Sequence, residues 1–191
     1  MRSHSTAAPN ITASHVAENT QVASRVINCL KSSSMIKILM VCMGNICRSP
    51  MAQAVARRIA RDAGRSKDFE FDSAGTLAQG TGERTDPRAR SVLLSRNYES
   101  GNTRARRVND QDFERFDLIL AMDQTNLAAL QRLCPPQYLG KLRLLLEFAP
   151  AADMDEVPDP YYGNLAGFER VLDLCEAGAQ GLMKAHANKS P

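Results

Sequence analysis

The sequence holds no tryptophan, and aromatic residues make up only 5% of its 191 positions. Large rings are therefore scarce, both for filling a core and for stacking on a ligand. Histidine is rare as well. His4, His15 and His186 lie too far apart to form a local metal-binding motif. No apolar run approaches the ~20 residues that a membrane-spanning helix needs, which sets that class aside. A basic excess is also missing. The formal charge is +3, but residues 1–34 contribute Arg2, Arg25 and Lys31 against Glu18 alone, which leaves 21 basic and 20 acidic groups in the other 157 residues. Nucleic-acid binding calls for a basic face, so that class is disfavoured. Five cysteines, an odd number, cannot be a fully paired disulfide framework. They point to a reducing, cytoplasmic setting in which thiols fill cores or do chemistry.

What is present, 43% apolar and 24% charged residues, is the profile of one globular domain. Residues 1–34 are rich in Ser, Thr, Ala and Asn, show no sustained hydrophobic period and contain no signal-peptide core. They are expected to be a disordered extension or the product of an upstream-assigned start codon. The folded domain is expected over residues 35–187, followed by a short tail, 188–191.

Within that span strand and helix patterns alternate. Ile36–Val41 is a nearly continuous apolar run, as in a parallel strand covered on both faces. Ala52, Val55, Ala56, Ile59 and Ala60 recur at helical spacing, with Pro50 suited to the first turn and Gly64 to the stop. Further strands are read at Phe69–Ala74, Asp117–Met122 and Lys141–Phe148. Helices are read from Asp86-Pro87 through Leu94, up to Leu133 before Pro135-Pro136, and over a last segment carrying Leu165, Phe168, Leu172, Cys175, Ala179 and Leu182. The alternation predicts an α/β fold: a single domain with a four-stranded parallel sheet and helices on both faces, Rossmann-like in its winding.

Ligands of such sheets bind beyond the carboxyl ends of the strands, where the next helix begins. Here the first such turn reads Cys42-Met43-Gly44-Asn45-Ile46-Cys47-Arg48-Ser49-Pro50. It lacks the Gly-Lys-Ser/Thr ending of a nucleotide loop and the G-x-G-x-x-G of a dinucleotide fold. It is instead a C-x5-R-S turn. Curled round an oxyanion, it would aim backbone N–H groups inward, and the helix N-terminus would add positive potential. The same field favours a thiolate at Cys42. Arg48 offers a planar fork able to hold two phosphoryl oxygens at once.

The run Val41–Pro50 resembles the signature of the low-molecular-weight protein tyrosine phosphatases. Further matches are Asp72-Ser73-Ala74-Gly75-Thr76, Asp86-Pro87-Arg88-Ala89, Phe116–Asp123, and Val157-Pro158-Asp159-Pro160-Tyr161-Tyr162-Gly163, the family's acid loop. The resemblance covers residues 35–187; nothing in the family resembles residues 1–34. It implies a hydrolase acting on phosphotyrosine monoesters through a cysteinyl-phosphate on Cys42, with Arg48 clamping the phosphate and Asp159 as general acid and base. It implies phosphate binding by Met43, Gly44, Asn45, Ile46, Cys47 and Ser49. Ser49 hydrogen-bonds the thiolate, Asn45 holds an unusual backbone turn, and Cys47 captures an oxidised Cys42 as a disulfide. The implied substrate is a phosphotyrosine-bearing protein, such as a tyrosine kinase or its targets, met by a monomer or weak dimer. No metal, organic cofactor or nucleic acid is implied.

The sequence departs from that pattern in one place. Many members carry an aromatic residue, often Trp, after the Ser-Ala-Gly-Thr stretch to wall the substrate ring. Here the aligned residues include Gln79 and Gly80, leaving Tyr161 and Tyr162 as the expected walls. Two related activities compete. Arginine phosphatases carry Thr where this chain has Ile46, and a bulky apolar residue disfavours a guanidinium. Arsenate reductases relay a disulfide through two closely spaced cysteines, whereas Cys134 and Cys175 are far apart in sequence. A non-catalytic phosphoprotein-binding module typically loses the nucleophile or the acid, and both are retained. Cys134 and Cys175 read as core filler, Asp123 as a helix N-cap, and Arg104, Arg106 and Arg107 as a solvated or ion-paired face.

Overall fold

A computed structural model describes residues 35–187. The expected extension over residues 1–34 and tail over 188–191 lie outside the described residues. Four strands, β1 (Ile36–Cys42), β2 (Phe69–Gly75), β3 (Leu118–Ala121) and β4 (Leu142–Leu144), form one sheet in the order β2-β1-β3-β4. Every neighbouring pair is parallel. The helices are α1 (Arg48–Asp62), α2 (Pro87–Ser95), α3 (Asp110–Arg115), α4 (Gln124–Leu133) and α5 (Leu165–Ala187).

The two-residue period of a strand sorts the central side chains onto two faces. Ile38, Met40 and Cys42 of β1, with Leu118 and Leu120 of β3, join the core under α1, α2 and α5, where Met51, Val55, Phe168 and Leu172 are also buried. Leu39, Val41, Ile119 and Ala121 face the other way, against Phe113 of α3 and Leu130 of α4. Both faces of β1 are therefore apolar, which accounts for its unbroken hydrophobic run.

Two elements differ from the sequence reading. The expected strand 141–148 ends at Leu144, and Leu145–Phe148 turns into a 3-10 helix. Glu147 accepts the backbone N–H of Leu144 at 2.9 Å, which bends the chain away from the sheet. The apolar pattern continues because Leu145, Leu146 and Phe148 pack beneath α5 instead. Gly181 permits that approach, since a Cβ there would fall onto the carbonyl oxygen of Phe148. The short helix α3 was not expected. It spans only six residues, too few for a visible period, and is held by local polar contacts: Asp112 accepts the N–H of Asn109 at 2.9 Å, and the Lys141 ammonium donates to the carbonyls of Phe113 and Phe116 at 2.8 Å each.

Candidate active site

Cys42 is the last residue of β1 and Arg48 the first of α1, so five residues make the turn between them. The backbone carbonyls of this turn are engaged from outside. The Cys42 carbonyl accepts from Thr76 N–H (2.9 Å), that of Met43 from Leu77 (3.0 Å), and that of Ile46 from Asp86 (2.7 Å). These three carbonyls are thus held from outside the curl, and within it the N–H of Asn45 donates to Cys42 Sγ at 3.3 Å. No side chain caps the first turn of α1, so its orphan N–H groups add to the same cradle.

Asn45 adopts a left-handed backbone, φ 56°, which Asn accepts more readily than most residues. Its side chain locks the turn in place. Nδ2 donates to Ser49 Oγ and to Ser73 Oγ, both at 3.0 Å, while Oδ1 accepts the backbone N–H of Arg106 at 2.9 Å. The Ser73 hydroxyl in turn donates to Gln53 Oε1 at 2.8 Å. Gly75 completes the support by its lack of a side chain, because a Cβ there would lie 2.6 Å from the Met43 carbonyl oxygen. Ser49 Oγ lies 3.0 Å from Cys42 Sγ.

The buried Arg48 guanidinium reaches both acidic loops. Nη1 pairs with Asp123 and donates to the Val157 carbonyl at 3.2 Å, and Nη2 donates to Asp159 at 2.6 Å. Burial opposes its charge, but the Cys42 sulfur, Asp123 and Asp159 outweigh that effect and hold its pKa above the ordinary arginine value. At Cys47 it is the neutral form that the surroundings favour. Burial first, then Asp86 and the Cys42 and Asp159 charges, push its thiol up to about 12.

These groups open onto a pocket of about 410 Å³. Met43, Gly44, Ile46, Cys47, Tyr161 and Tyr162, all expected at the site, line it with Cys42, Arg48 and Asp159. Asn45 and Ser49 stand behind the loop rather than on the pocket wall. Gln79 and Gly80 occupy the rim where an aromatic was expected to be missing. Tyr161 and Tyr162 meet edge to face, ring centroids 5.0 Å apart.

Sequence reasoning undervalued three residues and overlooked one. Asp123 does cap α4, accepting the Asn126 N–H at 2.6 Å, but its second oxygen binds Arg48. Ser73 and Arg106 belong to the support of Asn45, and the Arg106 side chain is paired with Asp72 and Asp112 at 2.9 Å each. That Asp123 lies at the carboxyl end of β3 was the available signal for its second role. Glu83, on the pocket rim, carried no local signal at all. Cys134 and Cys175 are buried on opposite faces of the sheet, one in each core.

A parallel sheet whose first turn wraps a thiol and a buried guanidinium around an anion cradle is the architecture of a cysteine-dependent phosphatase. Residues 37–190 match the family model described as low molecular weight phosphotyrosine protein phosphatase. A low molecular weight protein-tyrosine-phosphatase of Streptomyces coelicolor is 45% identical over 153 residues, covering 78% of this chain and 92% of that one. The crystal structure of a protein tyrosine phosphatase from Entamoeba histolytica superposes with a TM-score of 0.78 at 39% identity, covering 80% of this chain and 97% of that one. A structure described as the YwlE arginine phosphatase is also similar, at 27% identity and a TM-score of 0.70, covering 78% and 94%. The chain belongs to the low molecular weight phosphotyrosine protein phosphatase family and is a hydrolase. Among the described residues no helix is long and apolar enough to cross a membrane.

Proposed function

We propose that this phosphatase hydrolyses phosphotyrosine in proteins by two in-line displacements at phosphorus. In the first, Cys42 Sγ attacks and the bond to the phenolic oxygen breaks, giving a cysteinyl-phosphate. Asp159 supplies the proton that turns the leaving oxygen into a neutral phenol. In the second, water attacks phosphorus, the P–S bond breaks, and Asp159 takes the water's proton. Arg48 and the loop N–H groups neutralise the equatorial oxygens throughout, the larger share of catalysis in such transfers. Ser49, beside the sulfur, stabilises the thiolate as it departs.

The observation that carries this reading is the convergence on one pocket of Cys42 and Arg48, from the two ends of one turn, with Asp159, 111 residues beyond Arg48 in the chain. An arriving phosphate competes with Asp159 for the Arg48 guanidinium.

The apolar, partly buried Ile46 favours an aryl ester over a phosphorylated guanidinium, and placement of Cys134 and Cys175 on opposite faces speaks against a disulfide relay between them. A cytoplasmic enzyme working as a monomer or weak dimer on a tyrosine kinase or its targets fits this chemistry. The test is rapid quenching during turnover of a phosphotyrosine peptide, followed by mass spectrometry. Phosphate on Cys42 supports the mechanism. Turnover with no adduct, or faster release from phosphoarginine than from phosphotyrosine, would refute it.

A further inference from the structure

The pocket takes a dianion, yet among the residues that line it stands a carboxylate that is not held in an ion pair. Three charged side chains line the pocket: Arg48, Asp159 and Glu83. The first two are paired with each other. Glu83 is exposed and makes no ion pair among the described residues. Arg84 and Arg104 are its neighbours, but the Arg104 guanidinium donates to the Gly82 carbonyl at 3.2 Å instead.

The position of that carboxylate is built by the chain. The N–H of Glu83 donates to the Gly80 carbonyl at 2.9 Å, closing a turn, and its own carbonyl accepts from Ala105 at 2.8 Å. The carboxylate folds back over the Cα of Gly80, in the space a side chain there would fill; a Cβ on Gly80 would collide with it. Gly80 thus leaves room for the negative charge beside Gln79, among the residues that line the pocket together with the two tyrosines. Left alone, such a charge repels every phosphate monoester that enters. The repulsion turns into a preference when the substrate brings a cation to meet Glu83.

We propose that Glu83 makes this enzyme select phosphotyrosines flanked by a basic residue and discriminate against acidic flanks. The inference rests on the phosphotyrosine reading above and adds the class of substrate. Because Glu83 is exposed, the effect is a few-fold to about tenfold and fades with salt.

The experiment compares kcat/KM for three phosphotyrosine peptides that differ only in residues adjoining the phosphotyrosine: Lys, Gln or Glu. The expected order is Lys over Gln over Glu, with a Lys-to-Glu ratio of about tenfold at low salt that narrows several-fold at 0.5 M salt. In Glu83→Gln the ratio should fall to a third or less of the wild-type value. Gly80→Ala, which keeps the charge but displaces it, should also lower the ratio. An equal rate on all three peptides, or a wild-type ratio in Glu83→Gln, would overturn the role of Glu83 while leaving phosphotyrosine hydrolysis standing. Absence of hydrolysis with all three peptides would overturn the phosphotyrosine reading as well.

Discussion

Arg48 and Asp159, 111 residues apart in the chain, meet through a 2.6 Å hydrogen bond at the floor of the pocket. The pairing places the proposed acid within reach of any group seated on the guanidinium. Asp159→Asn is expected to slow phosphotyrosine cleavage by roughly a hundredfold, the usual scale for a lost general acid. Across a series of aryl phosphates the deficit should shrink as the leaving phenol becomes more acidic. A uniform loss over the series would move the acid elsewhere.

Cys42→Ser should abolish turnover while inorganic phosphate still binds, because the N–H cradle and Arg48 survive. Calorimetry with phosphate checks the binding, and residual hydrolysis above about a thousandth of wild type would contradict a sulfur nucleophile. Arg48→Lys should be nearly as damaging, since a point charge cannot hold two phosphoryl oxygens or span Asp123 and Asp159 as the planar fork does.

Peroxide should inactivate the enzyme, more slowly with phosphate bound, and dithiothreitol should restore it. Peptide mapping of the oxidised protein should find Cys42 joined to Cys47. A bond from Cys42 to Cys175, which lies in the same core, would show that another thiol does the rescue.

Burial raises the Cys47 thiol from 9.0 to about 12, raises the Tyr98 hydroxyl from 10.0 to about 12, and raises Cys175 as well. Between about pH 9 and 12 the folded state therefore keeps protons that the unfolded chain has released. Stability from these groups is present below pH 9 and declines as pH rises, by up to about 1.4 kcal/mol per pH unit for the fully buried Cys175 and by less for Tyr98, which is only partly buried and screened by solvent. Urea melts at pH 8, 9 and 10 should show a falling midpoint. Cys175→Ala should flatten that pH slope, whatever its cost at pH 8; an unchanged slope would contradict the assignment.

Gly181→Ala would drive a methyl group into the Phe148 carbonyl and push α5 off the 3-10 turn at Leu145–Phe148. Overpacking of this kind costs about 1–3 kcal/mol, or several degrees of Tm in a domain of this size. A thermal melt unchanged within a degree would mean that the two elements separate without loss.

The cysteine turn was readable because its parts are local: a buried strand, seven residues carrying thiol and guanidinium, and an amphipathic helix. The acid loop was readable only by its likeness to a family, since nothing near Asp159 in the sequence announces a partner far back at Arg48. Strand β4 was read too long because apolar spacing records burial and not backbone path, and Leu145–Phe148 stay buried after leaving the sheet.

The four strands, the four longer helices, the apolar run of β1 and the thiol-to-arginine turn are written in the sequence, because each depends on neighbours within about a dozen residues. Tertiary structure alone decided which carboxylates meet Arg48, how Ser73 and Arg106 hold Asn45 in its left-handed turn, and where Glu83 stands on the rim. Those contacts join residues tens to more than a hundred positions apart. Their pairing is set by how the parallel strands bring their carboxyl ends together, a consequence of packing that no local pattern records.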